Sequence, residues 1–213
     1  MTNPDYCAVM LVIDRSGSMD LIRTSAEEAI NGFIADQAKS TGKRTIRIAQ
    51  FDWYQSETRY DTVCPSMDPA GMAAFHLSPR GGTPLLDAMG RSILEFGEEL
   101  AALPEDDRPG VVVLAVMTDG VENASSEFTW PQIKTMVQRQ EKDYGWNIVY
   151  LGANQDAIET AAKMGIRADS TMTYAATDHG TRSAVGSMNS YVFAAASGQS
   201  AAFTTDQRKD AIK

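Results

Sequence analysis

The chain has 213 residues, 43% of them hydrophobic and 22% charged, with a formal net charge of −9. That length suits one ordinary domain, or one domain plus a tail, and is enough to bury a core without covalent staples. The acidic balance, with no cluster of Lys and Arg, argues against binding to nucleic acid or an anionic membrane, and two cysteines are too few for a disulfide framework.

The N-terminus lacks the basic stretch, apolar core and cleavage site of a signal peptide. The longest apolar runs, 9–13 and 111–117, are too short to span a membrane. With Cys7 and Cys64 read as reduced thiols, the expectation is a soluble, cytoplasmic protein.

In chain order, residues 7–14 (CAVMLVID) form a continuous apolar run rich in β-branched residues, the pattern of a strand buried on both faces. Ile22, Ala26, Ala29, Ile30, Phe33 and Ile34 then fall on one face of a helix. Residues 45–52 read as a second strand and 57–64 as a weaker edge strand, antiparallel to it; 72–76 is ambiguous. Leu85, Met89, Ile93, Phe96 and Leu100 mark an amphipathic helix, 103–110 a solvent loop, and 111–118 (VVVLAVMT) another fully buried strand. Residues 131–141 are helical, 147–152 a strand and 155–164 a helix, and Val185, Met188 and Val192 place a helix over 179–196. No clear final strand stands in 166–178. Residues 197–213 are small, polar and charged, as in a mobile tail.

This alternation predicts an α/β fold: a doubly wound, mostly parallel sheet with helices on both faces and one antiparallel edge strand, over residues 1–196. Cys7 begins the first strand and Cys64 ends the third. With the second strand between them they stand ~9.5 Å apart at best, too far for a disulfide.

Such sheets bind ligands outside the carboxyl ends of their strands, so the segments just past each strand are the ones to inspect. After the first strand comes Asp14-Arg15-Ser16-Gly17-Ser18. Extended, its ends would lie ~13 Å apart, whereas two ligands of one Mg²⁺ can be only ~4 Å apart. A curl at Gly17 would bring one carboxylate and two hydroxyls to a single point; a polar turn with Ser18 capping the next helix is the plainer alternative. In Arg80-Gly81-Gly82-Thr83-Pro84, Pro84 suits the first helical position, which makes Thr83 the N-cap, while the paired glycines allow close approach to another loop. Thr118-Asp119-Gly120 follows the most buried strand.

Asp14-x-Ser16-x-Ser18, Gly82-Thr83 before a helix, and Thr118-Asp119-Gly120 together resemble the three loops of the metal-ion-dependent adhesion site (MIDAS) of von Willebrand factor A (vWA) domains. The resemblance covers roughly residues 5–165. It implies that Asp14, Ser16, Ser18 and Thr83 are metal ligands, with Asp119 close by or acting through water. It also implies that the first and fourth strands lie side by side. All these donors are oxygens, which suits Mg²⁺, Mn²⁺ or Ca²⁺ rather than zinc. The function implied is a divalent-cation-dependent protein-binding module, not an enzyme, whose ion captures an Asp or Glu side chain of a partner protein.

Around the crevice, Trp53, Tyr54 and Trp130 follow strands and are candidates for an aromatic rim against that partner, or for rings packed under loops. His76 and His179 lack a third ligand at metal spacing and read as structural or exposed. Asp20 needs no role beyond the first turn of a helix, and Asn154 reads as a helix cap. The rival class is a metal-dependent phosphohydrolase. Against it, Ser16 stands where a second catalytic carboxylate is expected, no Lys is placed for a phosphate, and neither a P-loop nor a G-x-S-x-G elbow is present.

Overall fold

Strand β1 (Asn3–Asp14) owes its unbroken apolar run to facing two cores at once. Cys7, Val9, Leu11 and Ile13 join one apolar cluster, and Tyr6, Ala8, Met10 and Val12 the other. The computed structural model describes residues 2–153 and 157–213. After β1 come α1 (Arg23–Gln37), β2 (Lys43–Tyr54), β3 (Glu57–Met67), α2 (Leu85–Ala102), β4 (Pro109–Thr118) and α3 (Trp130–Tyr144). Then follow β5 (Asn147–Ala153), α4 (Ala157–Lys163), β6 (Thr171–Tyr174), α5 (Asp178–Ala196) and α6 (Thr205–Ala211).

The strands form one sheet in the order β3-β2-β1-β4-β5-β6. Only β3 runs antiparallel, paired with β2 at the edge. The expected fold class holds, and β1 and β4 are neighbours, with Ile13 opposite Met117. Helices α1, α5 and α6 cover one face through Ile30, Phe33, Met188, Val192 and Ala211. Helices α2, α3 and α4 cover the other through Met89, Phe96, Ile133, Val137 and Ala161. Strand β2 lies between β1 and β3, and Cys7 and Cys64 are both free thiols. Among the described residues no helix is long and apolar enough to cross a membrane.

Three segments differ from the sequence expectation or resolve it. The ambiguous stretch around residues 72–76 joins no strand ladder; side chains satisfy its backbone, Gln50 of β2 donating to the His76 carbonyl at 2.5 Å and two residues of α1 meeting the rest. Asn31 of α1 accepts from the Phe75 N–H at 2.8 Å and donates to the Phe75 carbonyl at 3.1 Å, and Glu27 accepts from the Leu77 N–H at 2.8 Å. Phe75 and Leu77 are buried beneath this clamp. The final strand that was not apparent is β6, four residues long, too short for a period of two to stand out.

The small polar segment 197–213 is not a free tail. Phe203 and Ala211 are buried, the Phe203 ring lies 5.4 Å from that of Tyr191, and the Ala175 N–H donates to the Ala211 carbonyl at 2.8 Å. Thr204 and Gln207 form a capping box that starts α6. Composition pointed to a tail because one aromatic and one alanine carry the apolar packing; the other anchors are polar, with Arg208 donating to the Thr171 and Ala168 carbonyls and Ser183 to Asp210.

Candidate metal centre

Past Asp14 the chain curls, but without the backbone freedom expected of Gly17: its φ is not left-handed, and a Cβ there would come no nearer than 3.5 Å to the Gly81 carbonyl oxygen. The Arg15 N–H still bonds the Phe51 carbonyl of β2 at 2.8 Å, and the Gly17 N–H reaches the Gly81 carbonyl at 3.1 Å. A 3-10 helix, Gly17–Ile22, then begins, held down by buried Met19 and Ile22. The curl gathers the side chains: the Ser16 and Ser18 hydroxyl oxygens are 3.2 Å apart, and Ser18 donates to Asp119 at 2.7 Å. Asp14 accepts the Ser16 N–H at 2.6 Å on one carboxylate oxygen and the Thr118 hydroxyl at 2.5 Å on the other. Ser18 lies inside the 3-10 helix, whose N-cap is Ser16, so it does not cap a following helix.

The second loop is pressed against the first. Gly81 has φ +66°, and a Cβ there would sit 1.8 Å from the Trp53 carbonyl oxygen, so only glycine fits. Trp53 and Gly82 exchange backbone hydrogen bonds of 2.9 and 3.1 Å, which fixes this loop to the end of β2. Thr83 is not the N-cap of α2, contrary to expectation, and Pro84 is not its first helical residue. Pro84 holds the cap position, with the Ala88 N–H on its carbonyl at 3.0 Å. The open amides of the first turn are met from another loop: Glu122 and Ser125 each accept from the Leu86 N–H at 3.0 Å. Thr83 is held by its backbone, since its N–H donates to the Asn123 side chain at 2.9 Å and its carbonyl accepts the Asn123 N–H at 3.1 Å. Its hydroxyl forms no hydrogen bond among the described residues. It faces Gly120, where a Cβ would come within 2.5 Å of it.

These contacts bring Asp14, Ser16, Ser18 and Asp119 into one hydrogen-bonded chain and set Thr83 against its Gly120 side. Asp14 and Thr83 are buried, Asp119 is half-buried and Ser18 is exposed, so the group forms a crevice with a carboxylate floor and a hydroxyl mouth. Burial pushes the Asp14 carboxyl up to about 7 against the hydrogen bonds from Thr118 and Ser16, and Asp119 nearby raises it further. Burial also raises Asp119, opposed by its bond from Ser18. Among the described residues no basic side chain bonds either carboxylate. Two carboxylates and three hydroxyls are hard oxygen donors, and the donor set fits Mg²⁺, Mn²⁺ or Ca²⁺.

Beside the crevice, Asp52 at the end of β2 is equally buried but paired. The Arg15 guanidinium bonds it through Nε at 2.9 Å and again through a terminal nitrogen, which also reaches Asp61 at 2.7 Å. The Arg80 Nε bonds the second oxygen of Asp52 at 2.8 Å. Asp52 thereby ties together the two loops that carry Ser16 and Thr83. Nothing in the sequence reading singled out this bridge; Thr118 stood in its motif without a role of its own, and Asn123 had none. The available signal was an arginine lying within each of the two motifs.

The candidate rim divides. Trp53 touches the Gly81-Gly82 turn, and Tyr54 is 39% exposed with the Arg80 guanidinium 4.5 Å above its ring, so both stand at the second loop. Trp130 packs against the apolar cluster under α2 and α3 instead. His76 and His179 are mostly exposed and stand beside Glu27 and Asp210 respectively. Asp20 lies in the first turn of the 3-10 helix, 3.8 Å from Arg23. Asn154, expected to cap a helix, lies outside the described residues.

No protein-family model matches the sequence, and no curated protein matches it closely. Solved structures do. Proximal thread matrix protein 1 from the mussel byssus is 15% identical, with a TM-score of 0.62 over 90% of this chain and 46% of its own, so the chain spans about half its length. Another structure of that protein, at a TM-score of 0.52, has a zinc-occupied MIDAS motif. The von Willebrand factor domain of the type V pili tip protein Mfa5 from Porphyromonas gingivalis is 11% identical, with a TM-score of 0.62 over 94% of this chain and 98% of its own. Manganese-loaded TRAP protein of Plasmodium vivax is 15% identical, with a TM-score of 0.55 over 81% of this chain and 70% of its own. The chain has the von Willebrand factor A fold.

Proposed function

We propose that the chain is a divalent-cation-dependent protein-binding module, with Asp14, Ser16, Ser18 and Thr83 as metal ligands and Asp119 a ligand directly or through water. The observation that carries this is Asp14, a fully buried carboxyl with only neutral hydrogen-bond donors, beside the Ser16 and Ser18 hydroxyls of its own loop, which reach the Asp119 carboxylate of another. Mg²⁺ is the ion favoured, with Mn²⁺ or Ca²⁺ as alternatives on the same donors; the related structures that hold zinc and manganese support a metal here. An ion held by these residues would keep net positive charge where Asp119 acts through water and Asp14 alone binds directly, and would supply a position for an Asp or Glu carboxylate from a partner protein.

The residues of the chain do the positioning. Thr118 and the Ser16 N–H orient the Asp14 carboxylate, and Ser18 holds Asp119 toward the mouth. Glu122 and Asn123 are occupied in fixing the third loop to α2 and Thr83, which leaves them structural. A binding role is favoured over phosphoester hydrolysis because Ser16 bonds Ser18 where that chemistry needs a second carboxylate beside Asp14. Titration calorimetry with Mn²⁺ and Mg²⁺ on wild type and Asp14→Asn tests the site. Saturable binding to wild type, lost in the variant, is expected. Equal binding by both would overturn the ligand assignment. Turnover of p-nitrophenyl phosphate lost in Asp14→Asn would favour the enzyme.

A further inference from the structure

The two most exposed large apolar side chains of the 3-10 helix and the third loop stand close in the chain to Ser18 and Asp119, the residues that meet at the mouth of the crevice. Leu21 is 83% exposed and Val121 is 61% exposed, while their apolar neighbours Met19, Ile22 and Met117 are buried. In a 3-10 helix residues three apart lie on one edge, ~2 Å of rise per residue, so Leu21 stands about 6 Å along from Ser18 on the same edge. Val121 follows Asp119 by two residues, at most about 7 Å of chain. Ser18 and Asp119 are themselves joined at 2.7 Å, so Leu21 and Val121 stand near the same mouth, one from each loop.

Neither side chain hangs from a slack segment. Buried Met19 and Ile22 fix the 3-10 helix. Around Val121, the Gly120 N–H donates to the Thr118 hydroxyl at 3.1 Å, and Glu122 accepts from the Ala124 and Ser125 N–H groups at 2.9 and 2.8 Å. The ordering cost of presenting these apolar groups is therefore met before a partner arrives. Charge narrows the partner further. The charge of Asp20 beside Leu21 is already matched by Arg23 at 3.8 Å, but the chain carries −9 overall, and that net field disfavours an acid-rich segment.

Resting on the metal-dependent reading above, we infer that the crevice takes a single Asp or Glu side chain flanked by apolar residues, which Leu21 and Val121 cover. Acid-rich segments and acidic residues in polar surroundings are disfavoured. Shielding about half of each side chain is worth roughly five- to tenfold in affinity apiece. With the peptide's own ordering cost included, about tenfold in all is expected.

The test uses the whole chain, Mn²⁺ and three acetylated, amidated peptides with cores Leu-Asp-Leu, Ser-Asp-Ser and Leu-Asn-Leu, read by calorimetry on wild type and a Leu21→Ser/Val121→Thr double variant. Wild type should bind the Leu-Asp-Leu peptide about tenfold more tightly than Ser-Asp-Ser and should not bind Leu-Asn-Leu. The double variant should lose most of that preference while keeping its Mn²⁺ affinity. Equal binding of the two Asp peptides by wild type would overturn the inference, as would a preference that survives in the double variant. A double variant that lost Mn²⁺ affinity would overturn it too, since both side chains would then be supporting the crevice. Mn²⁺ titration without peptide separates the two levels: no Mn²⁺ binding removes the metal site itself, whereas Mn²⁺ binding without preference removes only the apolar lip.

Discussion

Asp14 and Asp52 end neighbouring parallel strands, and both carboxyl groups are 0% exposed. Their surroundings differ in one respect. Asp52 is bonded by two guanidinium groups, Arg15 and Arg80, whereas Asp14 receives only an amide N–H and a hydroxyl. A buried carboxylate with cationic partners is a structural tie; one with neutral partners is costly unless a cation joins it. The two positions, one residue apart across the β1–β2 register, thus separate the mechanical support of the crevice from its chemistry. Arg15 lies between Asp14 and Ser16 in sequence yet turns its charge away, onto Asp52.

Removing the paired carboxylate gives the largest expected effect. Asp52→Asn leaves Arg15, 8% exposed, without its main counter-charge, a loss of about 3 kcal/mol by the usual cost of breaking a buried pair. Urea unfolding of metal-free protein measures it, and a loss below about 1 kcal/mol would show that Asp61, together with Gln50, whose side-chain oxygen accepts from Arg15 at 3.4 Å, suffices for Arg15. Asp14→Asn should act in the opposite direction. It removes a buried charge that has no cationic partner, so metal-free stability at pH 8 should hold or rise. Wild type should gain about 2.7 kcal/mol from a cation at a hundred times its dissociation constant, and Asp14→Asn should gain nothing.

Acidity sharpens the same contrast. The Asp14 carboxyl is raised from the ordinary carboxylate range near 4 to about 7, chiefly by burial. A group whose folded value lies above its unfolded value contributes stability that is fully present below the unfolded one and lost as pH rises through the folded one. Metal-free wild type should therefore lose stability between about pH 4 and pH 7 relative to Asp14→Asn, in thermal melts of protein stripped on a chelating resin. Mn²⁺ should shrink that difference, because the ionised form then has a cation to bond. Parallel pH profiles for the two metal-free proteins would break the comparison.

The sheet was largely legible because two-sided burial writes long apolar strands such as 7–14 and 111–118. The crevice was legible in its residues because Asp14, Ser16, Ser18 and Asp119 stand at or just past strand ends and Thr83 stands just before a helix. What stayed hidden was non-local pairing. Glu122 and Ser125 cap a helix some 36 residues earlier in the chain, so the Thr-Pro pair before α2 imitated a local cap that the fold does not use. Asp52 drew notice only through its aromatic neighbours, since its two arginines lie 37 and 28 residues away. β6 and the segment ending in α6 were missed because short elements carry their apolar packing on two side chains, Met172 with Tyr174 in the first and Phe203 with Ala211 in the second.

The smallest expected effect falls on Thr83, and it separates position from chemistry within the crevice. A helix cap contributes ~1 kcal/mol. Here the first-turn amides of α2 are met by Glu122 and Ser125, and the Thr83 hydroxyl makes no hydrogen bond among the described residues. Thr83→Val keeps the shape and removes only the hydroxyl, so metal-free stability should change by less than about 0.5 kcal/mol. Its Mn²⁺ affinity should fall about tenfold, the order expected for one lost oxygen donor, while Thr83→Ser stays within about threefold of wild type. Gly120→Ala supplies the steric counterpart, because its Cβ would meet the Thr83 hydroxyl at 2.5 Å and push it from the crevice. That variant should lose Mn²⁺ affinity as Thr83→Val does, although it adds a methyl group on the opposite loop. Thr83→Val that lost about 1 kcal/mol yet bound Mn²⁺ normally would return Thr83 to the role of a cap.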